Sequence, residues 1–468
     1  MAADADTDAG NSDAQPRPTS APPSPTPSRV WATRFLGQVV DVRPHELGGL
    51  LWSFSFFFFL LASYYVLRPL RDEMAIIGGV NRMQWLFTAT LGVMLLVVPA
   101  WSALAARLPP RRLIAVVYRF FLANLALFFV LFHRFGGGHV PTARAFFVWT
   151  SVFSLFVVSV FWSFMADVFR QEQGKRLFGF VAAGGSAGAI VGPLLTSLIV
   201  DRIGPVNLLL IAGAFLEVAA QCAARLANWS SRRNVVIAAA ATTGPDAPAP
   251  AGKTEVATTA VGGSAWAALR LLATSRYLGA IAGYVLLMTV TATFGYMLQA
   301  RMVAAEGLTS AGRTGLFARI DLMVNLASAG TQAVLAGRVM ARFGLTPALT
   351  LTPLLTIVAS VALAAFPRLG VLIASNVTRR VAEYAVASPA RQVLFTVVTR
   401  EEKYKPKALI DTVIYRGGDV VGSWAFTAVI GLGASVSGVA LCVIPPAIAW
   451  LAGARWLARR HERSAQRG

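Results

Sequence analysis

Long uncharged runs alternate with short polar segments along most of this chain. The first run, Leu47–Leu67, is dominated by Phe and Leu, and the runs Trp85–Ala106 and Tyr277–Ala300 are similar. Each is long enough to cross the hydrocarbon core of a bilayer as a helix, which takes about 20 residues. The runs lack the alternation of β-strands, and backbone groups in lipid must be hydrogen-bonded internally. The pattern therefore predicts an all-α, multi-pass membrane protein.

The same pattern predicts twelve transmembrane helices. They cover approximately residues 47–67, 85–106, 113–132, 145–166, 177–200, 206–224, 277–300, 314–336, 346–366, 370–390, 408–432 and 436–454. A long polar segment rich in Ala, Thr, Gly and Pro separates the first six spans from the last six. Six plus six spans resemble the layout of the major facilitator superfamily. That resemblance implies two halves that rock about a site near the middle of the bilayer.

This layout also predicts the domain organisation. The expected segments are a disordered tail over 1–30, an N-terminal six-helix bundle over 31–227, a cytoplasmic linker over 228–270, a C-terminal six-helix bundle over 271–456 and a basic tail over 457–468. The glycine-rich start of the fifth span, with small residues three and four apart, predicts close helix packing where the two halves slide.

Composition and charge support a membrane location. Of the residues, 56% are hydrophobic and 14% are charged, against about 25% charged in soluble proteins. With both termini inside, the inner loops and tails hold 28 of the 42 Lys and Arg residues and the outer loops hold 9. The net charge of +20 therefore reports orientation under the positive-inside rule and not nucleic-acid binding. The alanine- and arginine-rich composition indicates a GC-rich genome. We expect a multi-pass protein of a bacterial inner membrane with both termini in the cytoplasm.

Two segments at corresponding places in the two halves share a pattern. After span four and after span ten, an Arg is followed by Glu at +2, Lys at +5 and later a Gly-Gly pair, starting from Arg170 and from Arg400. This repeat supports an origin of the two bundles by duplication.

Several ionisable residues fall within the expected spans, where a charge costs at least about 2.5 kcal/mol, so each is a functional candidate. Arg379 and Glu383 are four residues apart and share a helical face, whereas Arg380 points about 100° away. At least one of these arginines is therefore expected to remain available to another partner. Arg416 and Asp419 are three apart, as a pair would be. Glu217 has no charged neighbour in its span, and the roles of proton carrier and of interhelix partner both stay open for it.

No catalytic or metal-binding pattern accompanies these charges. The four histidines fall in loops or tails without metal-ligand spacing, and Cys222 and Cys442 lie far apart in apolar spans. The "AGKT" at 251–254 lacks the first glycine of a phosphate loop, because residue 247 is Ala. We expect a transporter that is not an enzyme, has no cofactor, and is driven by gradients or exchange. Guanidinium groups match carboxylate or phosphate in a two-point fork, so the expected partner besides the lipid bilayer is a small anionic solute.

Two stretches resemble the ATP/ADP translocases of plastids and intracellular bacteria. The first is "YYVLRPLRD", with Tyr64, Arg68, Arg71 and Asp72, and the second is "EEKYKPKALID", from Glu401 to Asp411. The first departs from the family in having Arg71 for a lysine, an inserted proline at 69 and a serine at 63 where asparagine is usual. The resemblance implies a nucleotide or another phosphate ester, carried by exchange or symport, with the particular substrate unassigned.

The charges and the resemblance together give the candidate site. The substrate-binding candidates are Arg68, Arg71, Asp72, Arg319, Asp321, Arg379, Arg380, Glu383 and Arg416. The coupling or gating candidates are Glu217, Lys407, Asp411 and Asp419. Pro69 is expected to break or kink the first helix, and Asp72 and Glu73 are expected to hold Arg68 and Arg71 at an outer gate.

Two alternatives stay open. A proton-coupled facilitator of another metabolite or drug would use Glu217, Asp321 or Glu383 to carry protons. A non-transporting sensor or scaffold is a third possibility, although no further folded domain is expected outside the spans. The protein is expected to be monomeric.

Overall fold

The fold was analysed in a computed structural model, which describes residue 43 and residues 45–107, 110–242, 270–272, 274–336, 344–397 and 406–465. The chain divides into two units, Met1–Leu47 and Gly48–Gly468. In the first, the backbone N–H of Glu46 donates to the carbonyl of Arg43 at 2.9 Å and forms a turn. The expected disordered tail, the region 243–269 of the linker and the "AGKT" segment lie outside the described residues.

Every regular element in the described residues is helical. The α-helices are α1 (Leu47–Ile77), α2 (Met83–Arg107), α3 (Pro110–Phe135), α4 (Val140–Val168), α5 (Gln171–Ile203), α6 (Leu208–Thr242), α7 (Arg276–Ala305), α8 (Ser310–Thr331), α9 (Leu345–Ala365), α10 (Leu369–Ala382), α11 (Ser388–Val393), α12 (Tyr415–Gly431), α13 (Val436–Cys442) and α14 (Ile444–Ala465). Three π-helical turns lie at Gln332–Ala336, Glu383–Ala387 and Ile410–Ile414. Two short 3₁₀ turns lie at Val80–Arg82 and Leu394–Thr396. We call α1–α6 the N-terminal set and α7–α14 the C-terminal set.

Nine helical segments of the described residues are long and apolar enough to cross a membrane. The three expected spans outside this group are 314–336, 370–390 and 408–432. Each of the three contains charged residues and one π turn. Extra residues in a π turn are typical of functional sites in helices. The full set of twelve spans in two bundles stays a prediction.

The helix starts follow local sequence signals. Ser275, Thr309 and Ser435 are N-caps whose side-chain oxygens accept hydrogen bonds from backbone N–H groups three residues later, at 3.1 to 3.4 Å. Such caps satisfy N–H groups that have no partner within the helix. Helix α6 continues to Thr242 and α14 to Ala465, so both run into segments expected to be linker or tail.

Close packing of α1 against α5 explains the glycines of the fifth span. A Cβ at Gly188 would collide with the carbonyl oxygen of Phe58, and one at Gly184 would collide with the carbonyl oxygen of Phe54. Glycine is therefore required where these backbones approach. These glycines face α1 of the same set, while α5 also packs against α8 of the C-terminal set, where Asn325 Nδ2 donates to the Ala189 carbonyl at 2.6 Å. The fifth span therefore lies where the two sets meet, and a sliding role for its surface stays a prediction.

An apolar cluster joins the two sets near the C-terminal end of α1. It contains Ala75 and Phe147 from the N-terminal set, packed with Phe294, Met297 and Phe426 from the C-terminal set. All five side chains are buried. This cluster holds the two sets together on one side of the charged cavity described next.

Candidate functional site

The charged stretch after the first apolar run lies inside α1. The helix continues through Pro69 to Ile77, so the expected break does not occur and the helix extends beyond the expected end of the span. Leu67, Leu70 and Met74 are at most 1% exposed. Because these residues are buried, the stretch is part of the packed protein and not a surface flank.

A cavity of about 470 Å³ lies between α1, α2, α4, α7, α10, α11 and α12. Its volume falls within the range of small-molecule sites, about 300 to 1,000 Å³. Six arginines contribute to its lining: Arg68, Arg71, Arg379, Arg380, Arg391 and Arg416. Seven aromatic side chains contribute as well: Tyr64, Tyr65, Phe87, Phe147, Tyr296, Tyr384 and Tyr415.

Asp321 of α8 binds two of these arginines. Its Oδ1 accepts a hydrogen bond from Arg380 Nη2 at 2.7 Å, and its Oδ2 lies 3.4 Å from Arg68 Nε. The carboxylate is 2% exposed. Two positive charges held this close would repel in a buried site, and the aspartate between them offsets that repulsion. Asp321 therefore links α1 of the N-terminal set to α10 of the C-terminal set.

Asp72 holds the second arginine of α1. Its Oδ1 accepts hydrogen bonds from Arg71 Nη2 at 2.6 Å, from Arg71 Nε at 3.0 Å and from the Tyr296 hydroxyl at 2.9 Å. The Arg71 guanidinium also lies 5.6 Å from the centre of the Phe147 ring. Arg71 is therefore fixed by one carboxylate and by aromatic neighbours from both sets.

The predicted pair of Arg416 and Asp419 is present. Arg416 Nη1 donates to Asp419 Oδ2 at 3.2 Å, and the Thr293 hydroxyl donates to Asp419 Oδ1 at 3.1 Å. Each carboxylate oxygen of Asp419 thus has a partner.

Glu383 pairs with Arg391 rather than with Arg379. Arg391 Nη1 donates to Glu383 Oε1 at 3.3 Å. Two turns of α-helix take 7.2 residues, and one π turn adds about one more, so the residue at i+8 lies on the same face as residue i. The π turn Glu383–Ala387 therefore aligns these two side chains.

The Arg379 side chain has no hydrogen-bond or ion-pair partner among the described residues, although it lines the cavity. The sequence predicted that at least one arginine of this helix would remain available, and Arg379 is that arginine. The sequence did not predict that Glu383 would pair with Arg391. Six arginines face four carboxylates, Asp72, Asp321, Glu383 and Asp419, which leaves an excess of two positive charges.

Further polar contacts join the two sets near the C-terminal end of α1. Glu73 is 0% exposed, and its two oxygens accept from Arg313 at 2.6 and 2.7 Å. Arg301 donates to Asn81 at 2.9 Å. Glu73 was expected to hold an arginine of its own helix, and this expectation is wrong, because Arg313 approaches from α8. The C-terminal end of α1 is thus closed by contacts between the sets.

Four of the sequence candidates lie away from the cavity. Arg319 is exposed on α8. Glu217 of α6 forms an ion pair with Arg119 of α3 at 4.0 Å. The interhelix pair is thus the alternative that the structure shows for Glu217. Lys407 lies 5.6 Å from the ring of Phe395, and Asp411 is exposed; neither contributes to the cavity lining.

Two functional arginines were missed by the sequence reasoning. Arg391 follows the expected span 370–390 directly, and Arg313 precedes the expected span 314–336 directly. Both were counted as loop charges, although they fix Glu383 and Glu73. Extending each span by one residue would have added these arginines to the set of candidates.

Among the described residues, no group of three His, Cys, Asp or Glu side chains is placed to hold a metal ion. The buried charges of the cavity are instead arranged as arginine–carboxylate pairs with one unpaired arginine.

Comparison with known proteins bears on the fold. A family profile described as LacY proton/sugar symporter matches residues 143–238. No curated protein matches the sequence.

Solved transporter structures match over nearly the whole chain. A POT family transporter in complex with 5-aminolevulinic acid has a TM-score of 0.61 at 11% identity, covering 88% of this chain and 96% of its own. A bacterial homologue of the iron transporter ferroportin, in an inward-facing state, has a TM-score of 0.61 at 13% identity, covering 89% and 98%. A variant of the nucleoside transporter NupG has a TM-score of 0.56 at 12% identity, covering 90% and 99%. The chain therefore shares its fold with these transporter structures.

Proposed function

We propose that this protein is a secondary transporter that moves a small anionic solute across the membrane by alternating access. The observation that carries the proposal is the cavity lined by six arginines and three carboxylates, with Asp321 bound to two of these arginines outside the lining and Arg379 unpaired. Arg379 is half-buried, and an unpaired charge inside a membrane protein is costly, so an anion that binds Arg379 would remove a cost that the empty site bears.

The preferred solute class is a nucleotide or another phosphate ester. A phosphate monoester carries close to two negative charges, which complements the excess of two positive charges in the cavity. Arginine binds phosphate oxygens in a two-point fork. The rings of Tyr64, Tyr384 and Tyr415 offer surfaces on which a base can stack. The fold shared with a nucleoside transporter supports this choice of solute class.

Alternating access requires two sets of helices that move against each other. The proposed arrangement is two six-helix bundles with both termini on the cytoplasmic side of a bacterial inner membrane. Asp321 and Glu73 each join α1 to the C-terminal set, so breaking these contacts would separate the two sets at that end. Exchange and symport are both compatible with this arrangement.

A second candidate function is the proton-coupled transport of an uncharged metabolite such as a sugar. The match of residues 143–238 to the proton/sugar symporter profile favours it. The two candidates differ in the charge of the solute, so one binding experiment separates them.

The test is a thermal-shift panel on the purified protein with ATP, ADP, AMP, inorganic phosphate, glucose 6-phosphate and glucose. We expect phosphate compounds to raise the unfolding temperature and glucose not to raise it. Arg379→Gln should weaken phosphate binding at least about tenfold, since a hydrogen bond to a charged group contributes about 1.5 to 3 kcal/mol.

Arg319→Gln is the matched control, because Arg319 is exposed and lies outside the cavity. It should bind the phosphate compounds as the unmodified protein does. Stabilisation by glucose alone would favour the second candidate, and unchanged binding by Arg379→Gln would remove this arginine from the site.

A further inference from the structure

A second, smaller cavity lies beside Arg379 within the C-terminal set. It measures about 50 Å³ and lies between α7, α9, α10 and α13; we call it the side pocket. Asn376 and Arg379 contribute to the lining of the side pocket and also to that of the charged cavity. Among the described residues that line the side pocket, Arg379 is the only charged one. An anion in the side pocket therefore meets a guanidinium and no carboxylate.

Two hydroxyl groups of the side pocket are available as hydrogen-bond donors. Ser360 is 7% exposed, and neither Ser360 nor Ser375 has a hydrogen-bond partner for its side chain among the described residues. The neighbouring threonines differ, because the Thr356 hydroxyl donates to the Thr352 carbonyl at 2.9 Å and the Thr291 hydroxyl donates to carbonyls of its own helix. A buried hydroxyl without an acceptor is costly. The two serines therefore lack an acceptor that a ligand in the side pocket can supply.

The donors converge from two helices. Ser375 and Arg379 are four residues apart on α10 and share a helical face, and Ser360 approaches from α9. Two hydroxyl donors beside an unpaired guanidinium form a set of donors for an anion, since none of the three groups has an acceptor of its own among the described residues.

We propose that the side pocket is a binding site for chloride. The hydroxyls of Ser360 and Ser375 donate hydrogen bonds to the ion, and the guanidinium of Arg379 supplies the compensating charge. A water-sized group needs about 10 to 15 Å³ of such space, so the side pocket accommodates a monatomic ion together with water and is too small for a nucleotide or a sugar phosphate. A water alone fills the same space but leaves the charge of Arg379 uncompensated.

The position of Arg379 at both cavities links the chloride to the solute. A guanidinium has five N–H donors, so one arginine can face an anion on either side. Chloride on one side and a solute phosphate on the other share a single positive charge and repel each other. Chloride therefore weakens solute binding, and the solute weakens chloride binding by the same factor. This competition rests on the proposed function, whereas the binding of chloride does not.

The first experiment needs no solute. The unfolding temperature of the purified protein is measured while sodium gluconate is replaced by sodium chloride at constant ionic strength. We expect chloride to raise the unfolding temperature, because it binds the folded protein, and gluconate not to do so, because it is too large for the side pocket. Ser360→Ala should raise the half-maximal chloride concentration about tenfold, since it removes a hydrogen bond to a charged group.

Thr356→Val is the matched control. Thr356 lines the same side pocket, but its hydroxyl already donates to the Thr352 carbonyl, so the chloride titration should equal that of the unmodified protein. Equal half-maximal concentrations for Ser360→Ala and the unmodified protein would overturn the proposal. A crystal grown in bromide gives a direct check, because the anomalous signal of bromide should lie between Ser360, Ser375 and Arg379. A side pocket that contains water alone in bromide would also overturn the proposal.

The second experiment measures the competition. We expect the Kd of ADP, measured by calorimetry, to be about tenfold higher in chloride than in gluconate. Ser360→Ala should need about tenfold more chloride for the same change, although Ser360 does not line the charged cavity. Equal Kd values in the two salts would overturn the competition and leave the proposed function intact. If ADP and other phosphate compounds bind in neither salt, the proposed function fails, and the first experiment alone decides the chloride site.

Discussion

Two buried carboxylates, Glu383 in the lining of the charged cavity and Asp321 bound to two of its arginines, differ in how many arginine partners they have. Asp321 lies between Arg68 and Arg380, at 3.4 and 2.7 Å, and joins the two sets of helices. Glu383 has one partner, Arg391 at 3.3 Å, within the C-terminal set, and one oxygen without a partner among the described residues. Both residues are at most 9% exposed.

The difference shows that burial alone does not assign a role to a membrane carboxylate. A carboxylate between two guanidiniums stabilises the fold as an anion, because removing its charge leaves two cations facing each other. A carboxylate with one long contact can change its protonation at lower cost to the fold. We therefore expect the charge of Asp321 to contribute more to the stability of the fold than the charge of Glu383.

The largest expected effect tests the structural half of this comparison. Asp321→Asn keeps the size of the side chain but removes its charge, which leaves Arg68 and Arg380 uncompensated in a buried site. We expect a loss of about 3 to 5 kcal/mol in the free energy of unfolding, measured by denaturation in mixed micelles. Glu383→Gln is the matched control and should cost no more than about 1 kcal/mol. Equal losses in the two variants would mean that partner number does not distinguish the two sites.

Glu73 is a third case, because both of its oxygens are bound by one arginine, Arg313. We expect a smaller loss of stability when this pair is broken. Arg313→Ala would leave Glu73 charged, 0% exposed and without its donors. We expect a loss of about 2 kcal/mol and faster hydrogen–deuterium exchange at the C-terminal end of α1, because contacts between the two sets are broken there. Arg301→Ala is the control, since its partner Asn81 is neutral and exposed. Unchanged exchange in Arg313→Ala would show that this pair does not close that end.

The smallest expected effect comes from a substitution that leaves Asp419, like Glu383, with a single arginine partner. Thr293→Val removes the hydroxyl that donates to Asp419 Oδ1 and leaves Arg416 as its partner. We expect a loss of about 1 kcal/mol in the free energy of unfolding. In infrared difference spectra between acidic and alkaline buffer, we expect a protonated-carboxyl band that the unmodified protein lacks. Thr427→Val is a control on α12, because the Thr427 hydroxyl donates to the backbone carbonyl of Ser423. An infrared spectrum without a new band would indicate that partner number does not control protonation at Asp419.

Much of the fold could be predicted from hydrophobic patterning. A helix in lipid must be apolar over about 20 residues, so the uncharged runs predicted spanning helices directly. The three expected spans that fall outside the nine apolar helices are those that contain charges and π turns. Their hydropathy is lowered by residues that face the protein interior, such as Asp321 and Arg380, and hydropathy cannot show which way a side chain faces.

The C-terminal end of α1 shows a second limit of prediction from the sequence. Proline removes a backbone donor, and charges usually follow a span, so the sequence favoured a break near residue 69. The helix instead continues to Ile77, because Leu67, Leu70 and Met74 are buried by neighbouring helices while Arg68 and Arg71 point to carboxylates. Tertiary packing outweighed the local signal.

The sequence by itself determined the all-helical membrane architecture, the excess of basic residues and the set of charged positions that deserved testing. Only the tertiary structure decided the pairs: Arg68 with Asp321, Arg313 with Glu73, Arg391 with Glu383, and none among the described residues for Arg379. The physical reason is that the energy of a buried charge depends on distances of a few ångströms between helices that are far apart in sequence. The apolar pattern along the chain determines which helices enter the membrane, and the packing of those helices determines which charges form pairs.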